Sequence, residues 1–200
     1  TMDADEGRSD FREQQRLIAC QVRAVLRGID AQRRSAMRSL VTARHERRPF
    51  ARQEQQPRHG DGERSLARAA GGEITDAAKD KSFIVTALPK TNYVEDALMK
   101  EGGIFQNAAK GTIICDTSTI NPHSSAKFAQ EAQKHGMVFM DTPMSGGIVG
   151  AKNGTLTFMV GGSVENFEKA RPLLLGMGKN LFHCGGPGTG EIAKLTNNLI

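Results

Sequence analysis

Lys194 and Asn198 stand four residues apart in GTGEIAKLTNN. On a helix that spacing puts them one turn apart on the same face. A lysine beside a bound ligand can act as a general acid or base, or polarise a hydroxyl. An amide beside it can orient a substrate. The plainer reading is a solvated surface lysine. A second candidate is Ser145-Gly146-Gly147, inside DTPMSGGIVGAKNGTLTFMVGG. Consecutive glycines let a ligand approach the backbone and expose N–H groups to an anion. The serine hydroxyl adds a donor suited to a carboxylate. Here the plainer reading is an ordinary turn, with Gly150, Gly154, Gly161 and Gly162 marking further turns around the strand Leu156 to Val160. A third candidate is the polar run Asp116, Ser118 and Thr119. These side chains could bind a ligand, or at least one could cap the helix that begins near Pro122.

Other chemistries find less support. The histidines have no metal-like spacing and read as surface or structural residues, so no metal site is expected. Three widely spaced cysteines form neither a disulfide framework nor a structural zinc site. Cys115 and Cys184 read as strand core. GGPGTG resembles a phosphate loop but matches neither G-x-G-x-x-G nor the Walker pattern. No apolar stretch approaches the 18 residues that would suggest a membrane span.

The elements that must position these residues alternate from Gly71 onward. KSFIVTALP reads as a buried strand, Phe83 to Leu88, stopped by Pro89. NYVEDALMK reads as a helix capped by Asn92, with Tyr93, Ala97 and Met99 inward. GTIICDTST is a second strand. Ser124 to His135 is a helix with Phe128, Ala129 and Ala132 on one face. MVFMDTP, GTLTFMVGG and KNLFHCG add three strands, SVENFEKARPLLLGMG a helix, and GTGEIAKLTNNLI the start of another. Alternation with short connections predicts an α/β fold with a mostly parallel sheet covered by helices, an incomplete Rossmann-like domain. Ligands bind beyond the carboxyl ends of such strands. Leu88-Pro89, Asp116 to Thr119 and Ser145 to Gly147 are expected there.

Residues 1–70 differ. They hold 15 Arg, no Lys and 10 acidic residues, a net +5, while residues 71–200 are neutral. The charge surplus of the whole chain therefore sits in one segment and marks no nucleic-acid footprint on the folded part. Leu17, Ile18, Val22, Val25, Leu26 and Ile29 fall roughly on one helical stripe. From Thr42 to Arg68 there is almost nothing to bury, and disorder is expected. A basic arm, a mitochondrial targeting piece and a segment foreign to the domain compete. The early acids Asp3, Asp5, Glu6 and Asp10 and only two aromatics favour the third. The domain reading is thus 1–70 atypical, 71–190 a partial dinucleotide-binding domain, and 191–200 the start of an interdomain helix.

From about Gly71 to Ile200 the chain resembles the β-hydroxyacid dehydrogenase family. TALP (86–89), DTSTI (116–120), DTPMSGGIVGAKNGTLTFMVGG (141–162) and GPGTGEIAKLTNN (186–198) come in the family's order and at its spacing. Members acting on 3-hydroxyisobutyrate are the most similar. The resemblance implies that NAD, with NADP left open, contacts Leu88, Pro89, Tyr93 and Thr119. It implies substrate contacts at Ser118, Ser145, Gly146 and Gly147. Lys194 matches the catalytic lysine and Asn198 its substrate-orienting partner. The implied substrate is a small β-hydroxy acid. The implied location is the mitochondrion in a eukaryote and the cytoplasm otherwise. Complete members are homo-oligomers. Two departures stand out: residues 1–70 occupy the place of the first strand and its glycine fingerprint, and the family's helical C-terminal domain is absent from these 200 residues. Another β-hydroxyacid dehydrogenase or a semialdehyde reductase is one alternative, and a non-catalytic dehydrogenase-like binding module is the alternative from another class.

Overall fold

Strands buried on both faces read as nearly continuous apolar runs, because either side of the sheet must be covered. FIVT, IICD and VFMD have that character, and each forms a strand. The computed structural model describes residues 42–43 and 74–199. Among them lie β1 (Thr42–Ala43), α1 (Ile74–Ala78), β2 (Phe83–Thr86), α2 (Thr91–Met99) and α3 (Ile104–Asn107). Then come β3 (Ile113–Asp116), α4 (Pro122–Lys134), β4 (Val138–Asp141), β5 (Met144–Ser145) and α5 (Gly147–Asn153). β6 (Leu156–Gly161), α6 (Val164–Leu175), β7 (Gly178–Gly185) and α7 (Thr189–Leu199) complete the order.

The strands form one sheet in the order β1-β2-β3-β4-β6-β5, with β7 paired to β6. β1 to β4 are parallel, in register from Thr86 to Asp116 to Asp141. β6 reverses direction. It pairs antiparallel with both β4 and β5 in one continuous register, Asp141 opposite Gly161 and Ser145 opposite Thr157. The predicted α/β class and mostly parallel sheet are therefore observed. Thr42–Ala43, expected to be disordered, instead pairs with Val85 and Thr86 at the sheet margin. The backbone ladder there requires no apolar side chains. The helical stripe proposed for residues 11–41 lies outside the described residues.

Period-two alternation divides the core. Val85, Ile113, Cys115 and Met140 face α6, where Phe167, Ala170, Leu173 and Leu174 are buried. Ile84, Ile114 and Phe139 face the other way, against Val94, Ala97 and Leu98 of α2 and Phe128 and Ala132 of α4. Tyr93, Met99 and Ala129 pack only partly against that side. Ala97 is buried as expected, but Val94 and Leu98 take the places on the α2 stripe that the sequence assigned to Tyr93 and Met99. Its N-cap is Lys90, not Asn92, and Thr91 opens the helix. For α4 the cap is Asn121, whose Oδ1 accepts from the N–H groups of His123 (2.9 Å) and Ser124 (3.2 Å), with Pro122 at the first helical position. At least one of Asp116, Ser118 and Thr119 was expected to cap this helix, but none fills that role in the observed bonds. The glycine-rich stretch holds a further surprise. It is not a loop throughout: β5, the helix α5 and a left-handed Gly154 at the helix end fill it. Gly150, expected at a turn, lies inside that helix and is buried.

Candidate active site

Asp116 and Asp141 end β3 and β4 side by side, each completely buried. Buried carboxylates need partners, and each has different ones. Asp116 Oδ1 accepts from Thr86 Oγ1 (2.7 Å), Ser118 Oγ (2.5 Å) and the Ser118 N–H (3.2 Å). Its Oδ2 has no hydrogen-bond partner. Burial pushes its carboxyl up to about 6, the bonds from Ser118 and Thr86 hold it down, and Asp141 adds to the rise. Ser118 Oγ also accepts from the Leu88 N–H (2.8 Å), so this serine ties the turn after β2 to the end of β3.

Asp141 works across a longer range. Its Oδ1 accepts from the Gly188 N–H (2.8 Å) and its Oδ2 from the Glu191 N–H (3.0 Å). These amides belong to the start of α7, and a helix leaves its first N–H groups without internal partners. A strand-end carboxylate therefore caps α7 from outside. The approach is close enough to demand glycine at 190: a Cβ there would run into the Met159 carbonyl oxygen and come within 2.8 Å of Asp141 Oδ2 and the Gly161 nitrogen.

The first turn of α7 carries Glu191, which is completely buried. Neither carboxyl oxygen closes a hydrogen bond of ordinary geometry. Burial pushes this carboxyl up to about 8 against the Ile120 backbone amide, with Asp116 and Asp141 adding to the rise and Lys194 opposing it. One turn on, Lys194 Nζ donates to Asn198 Oδ1 at 2.9 Å. Partial burial holds the Lys194 ammonium below the ordinary lysine range, while Glu191 pulls it back up. The sequence spacing of Lys194 and Asn198 is thereby realised as contact.

The remaining predicted residues spread along the same edge. Leu88 is buried, Pro89 and Thr119 are exposed, and Tyr93 is half-buried. Leu88 turns its side chain into the core and its N–H is taken, so little of it remains for a ligand. Ser145 is half-buried at the end of β5. Gly146 (φ 122°) and Gly147 (φ 55°) then turn the chain into α5 through left-handed conformations that favour glycine, and both are exposed. His183 is structural, its Nε2 lying 2.7 Å from the Gly162 carbonyl oxygen. Cys115 is core as expected. Cys184 is not: it sits half-exposed on the margin strand β7. His45, His59 and Cys20 lie outside the described residues. Among the described residues no three potential ligands gather to hold a metal, and no helix is long and apolar enough to cross a membrane. Asp141 and Glu191 were missed by sequence reasoning. The only signal was an acid closing an otherwise apolar strand.

For a dinucleotide, the edge offers a fitting donor set on one side. Pro89 and Thr119 present an exposed surface above the β2 and β3 ends. The start of α2, headed by Lys90 and free of any side-chain cap, offers positive potential beside it. The fold and this edge define a Rossmann-like, dinucleotide-binding class of α/β domain. A family profile described as the NAD binding domain of 6-phosphogluconate dehydrogenase matches residues 35–186. The chain belongs to this family, as an NAD-binding domain of the β-hydroxyacid dehydrogenases. The match begins well before Gly71, inside the segment set apart by composition. Bovine mitochondrial 3-hydroxyisobutyrate dehydrogenase is 45% identical over 125 residues, 62% of this chain and 37% of the relative. NAD-dependent L-serine dehydrogenase of Pseudomonas aeruginosa is 41% identical over 140 residues, 70% of this chain and 47% of the relative. The structure of Mycobacterium tuberculosis 3-hydroxyisobutyrate dehydrogenase with L-serine superposes with a TM-score of 0.62 at 34% identity, covering 66% of this chain and 44% of that one. The chain thus spans less than half the length of these relatives.

Proposed function

We propose that the chain forms the cofactor-facing part of an NAD-dependent dehydrogenase that oxidises 3-hydroxyisobutyrate to methylmalonate semialdehyde, as in valine breakdown. The observation that carries this reading is the Lys194–Asn198 hydrogen bond on a helix pinned by Asp141 at the carboxyl edge of the sheet. A nicotinamide bound along Pro89, Thr119 and Tyr93 supplies the hydride acceptor. Lys194 takes the proton of the substrate hydroxyl at Nζ, and its lowered proton affinity favours the neutral amine that this requires. Asn198 holds Nζ in place and offers an amide to the substrate. Ser145, Gly146 and Gly147 receive the carboxylate through a hydroxyl and backbone donors. Ser118 keeps the Leu88 turn at the right height and has one lone pair left for the ligand.

Ile192, Leu195 and Leu199 form an exposed apolar stripe along α7. In this reading a helical domain packs there and completes the site, in an oligomer, and residues 191–200 begin the interdomain helix. The setting would be mitochondrial in a eukaryotic source.

A second reading keeps the chemistry and changes the substrate. L-serine is also a β-hydroxy acid, and two of the similar proteins are named with it. Titration of the 200-residue chain with NADH and NADPH, read by fluorescence, tests the cofactor step. Turnover with 3-hydroxyisobutyrate and with L-serine then separates the substrates. Saturable binding with no turnover of either substrate once the helical domain is present would favour a non-catalytic module, and no binding to a folded chain would sink the reading for this chain.

A further inference from the structure

Glu191 has no part in the chemistry just described, yet its burial is costly. It is completely buried, both oxygens lack a hydrogen bond of ordinary geometry, and it sits three residues before Lys194 on the same helix. Residues three apart on a helix are neighbours. Resting on the reading of Lys194 as the base, we propose that Glu191 is a positioning residue for it: a buried acid one helical turn away whose ionised form ties Lys194 down as an ammonium and so raises the pH at which Lys194 can accept a proton.

The surroundings of Glu191 explain why the proton stays. Asp116 from β3 and Asp141 from β4 both act to raise its carboxyl, and Lys194 is the cation that opposes them. β6, the strand most intimately packed on α7, has no ionisable residue in LTFMVG. From β7 come His183, bonded to Gly162, and Cys184, whose thiol feels Asp141. Lys179 of β7 is exposed. On α4 the buried Ser125 carries no charge, and Ala126 borders the loop into α7. Its ionisable side chains lie elsewhere: His123 is exposed, Lys127 reaches Glu95, and Lys134 pairs with Glu131. Among the described residues no cation other than Lys194 is therefore at hand to hold an ionised Glu191. Release of its proton to solvent leaves an anion whose one nearby counter-charge among the described residues is the Lys194 ammonium. Ionisation of Glu191 and protonation of Lys194 favour each other, so the acid governs the base through electrostatics alone.

The test needs neither cofactor nor substrate. In the 200-residue chain labelled with ¹³C-lysine, the ε-carbon of Lys194, assigned with Lys194→Arg, is followed against pH. The wild-type curve should show a step near pH 8, where Glu191 ionises, ahead of the amine's own titration. Glu191→Gln should abolish the step and lower the Lys194 midpoint. An unchanged curve in Glu191→Gln would overturn the proposal. Should that variant fold poorly, ¹³C-glutamate labelling of the unaltered chain reads the Glu191 carboxyl directly, and a midpoint in the ordinary glutamate range would equally overturn it. In the active protein the acidic limb of kcat/KM should move to lower pH in Glu191→Gln. Failure of the dehydrogenase reading would show separately, as absent NADH binding, and would leave the titration readable.

Discussion

At the scale of single residues, the site is a division of labour among polar groups with similar chemistry and different surroundings. Lys194 is half-exposed and hydrogen-bonded to an amide, so it can exchange a proton. Asp116 is buried and spends one oxygen on three donors, so it organises and does not react. Replacing Lys194 by Ala should leave NADH affinity unchanged and lower turnover about 100- to 10,000-fold, the usual worth of a positioned acid or base. Parallel fluorescence titration and steady-state kinetics would check this, and an equal loss in both would assign the lysine to binding instead. The Lys194 and Asn198 pair was legible in sequence because helical spacing alone brings residues four apart together. Asp141 was not legible, since its partners lie 47 and 50 residues away.

At the scale of elements, α7 is set in place by its first turn. The Asp141 carboxylate binds two of its amides, and Gly190 lets the helix sit against β6 with no side chain between. Bonds donated to a charged acceptor contribute more than neutral ones, about 1.5–3 kcal/mol each. Asp141→Asn retains at most one carbonyl acceptor and should lower stability by about 1–3 kcal/mol in urea unfolding. Gly190→Ala must displace backbone and should cost about 1–3 kcal/mol or more. Gly186→Ala is the control: nothing lies within 4 Å of the added Cβ, so its effect should stay within about 0.5 kcal/mol. Equal behaviour of the two alanine variants would refute the close-approach argument. The strands were legible because burial on both faces writes a continuous apolar run. The helix α5 was not, because a glycine-rich stretch has weak helix propensity and is held by the β5–β6 pairing on either side of it.

At the scale of the whole molecule, buried acids tie stability to pH. The folded chain binds the Glu191 proton more tightly than the unfolded chain, since the carboxyl rises from 4.5 to about 8. Its contribution is therefore fully present below about pH 4.5 and is lost as pH climbs through about 8. Asp116 acts in the same direction between 3.8 and about 6. Unfolding free energy should fall from pH 5 to pH 9, and Glu191→Gln should flatten the upper part of that fall while leaving the lower part to Asp116. Urea titrations at several pH values would decide it, and an upward slope would contradict the burial of these acids. The apolar stripe of Ile192, Leu195 and Leu199 also belongs to this scale, because no described element covers it.

The amino-acid sequence alone determined what depends on near neighbours: apolar runs that become strands, the alternation that makes an α/β sheet, and the four-residue spacing of Lys194 and Asn198. Tertiary structure decided what depends on chain segments far apart. It placed Thr42–Ala43 beside β2 although neither residue is apolar enough to announce a strand. It reversed β6 against β4, joined Asp141 to α7, and buried Glu191 among two other acids. A carboxylate reads the same in any sequence. Its charge state and its task follow from the solvent it loses and the partners it meets, and only the folded chain assigns those.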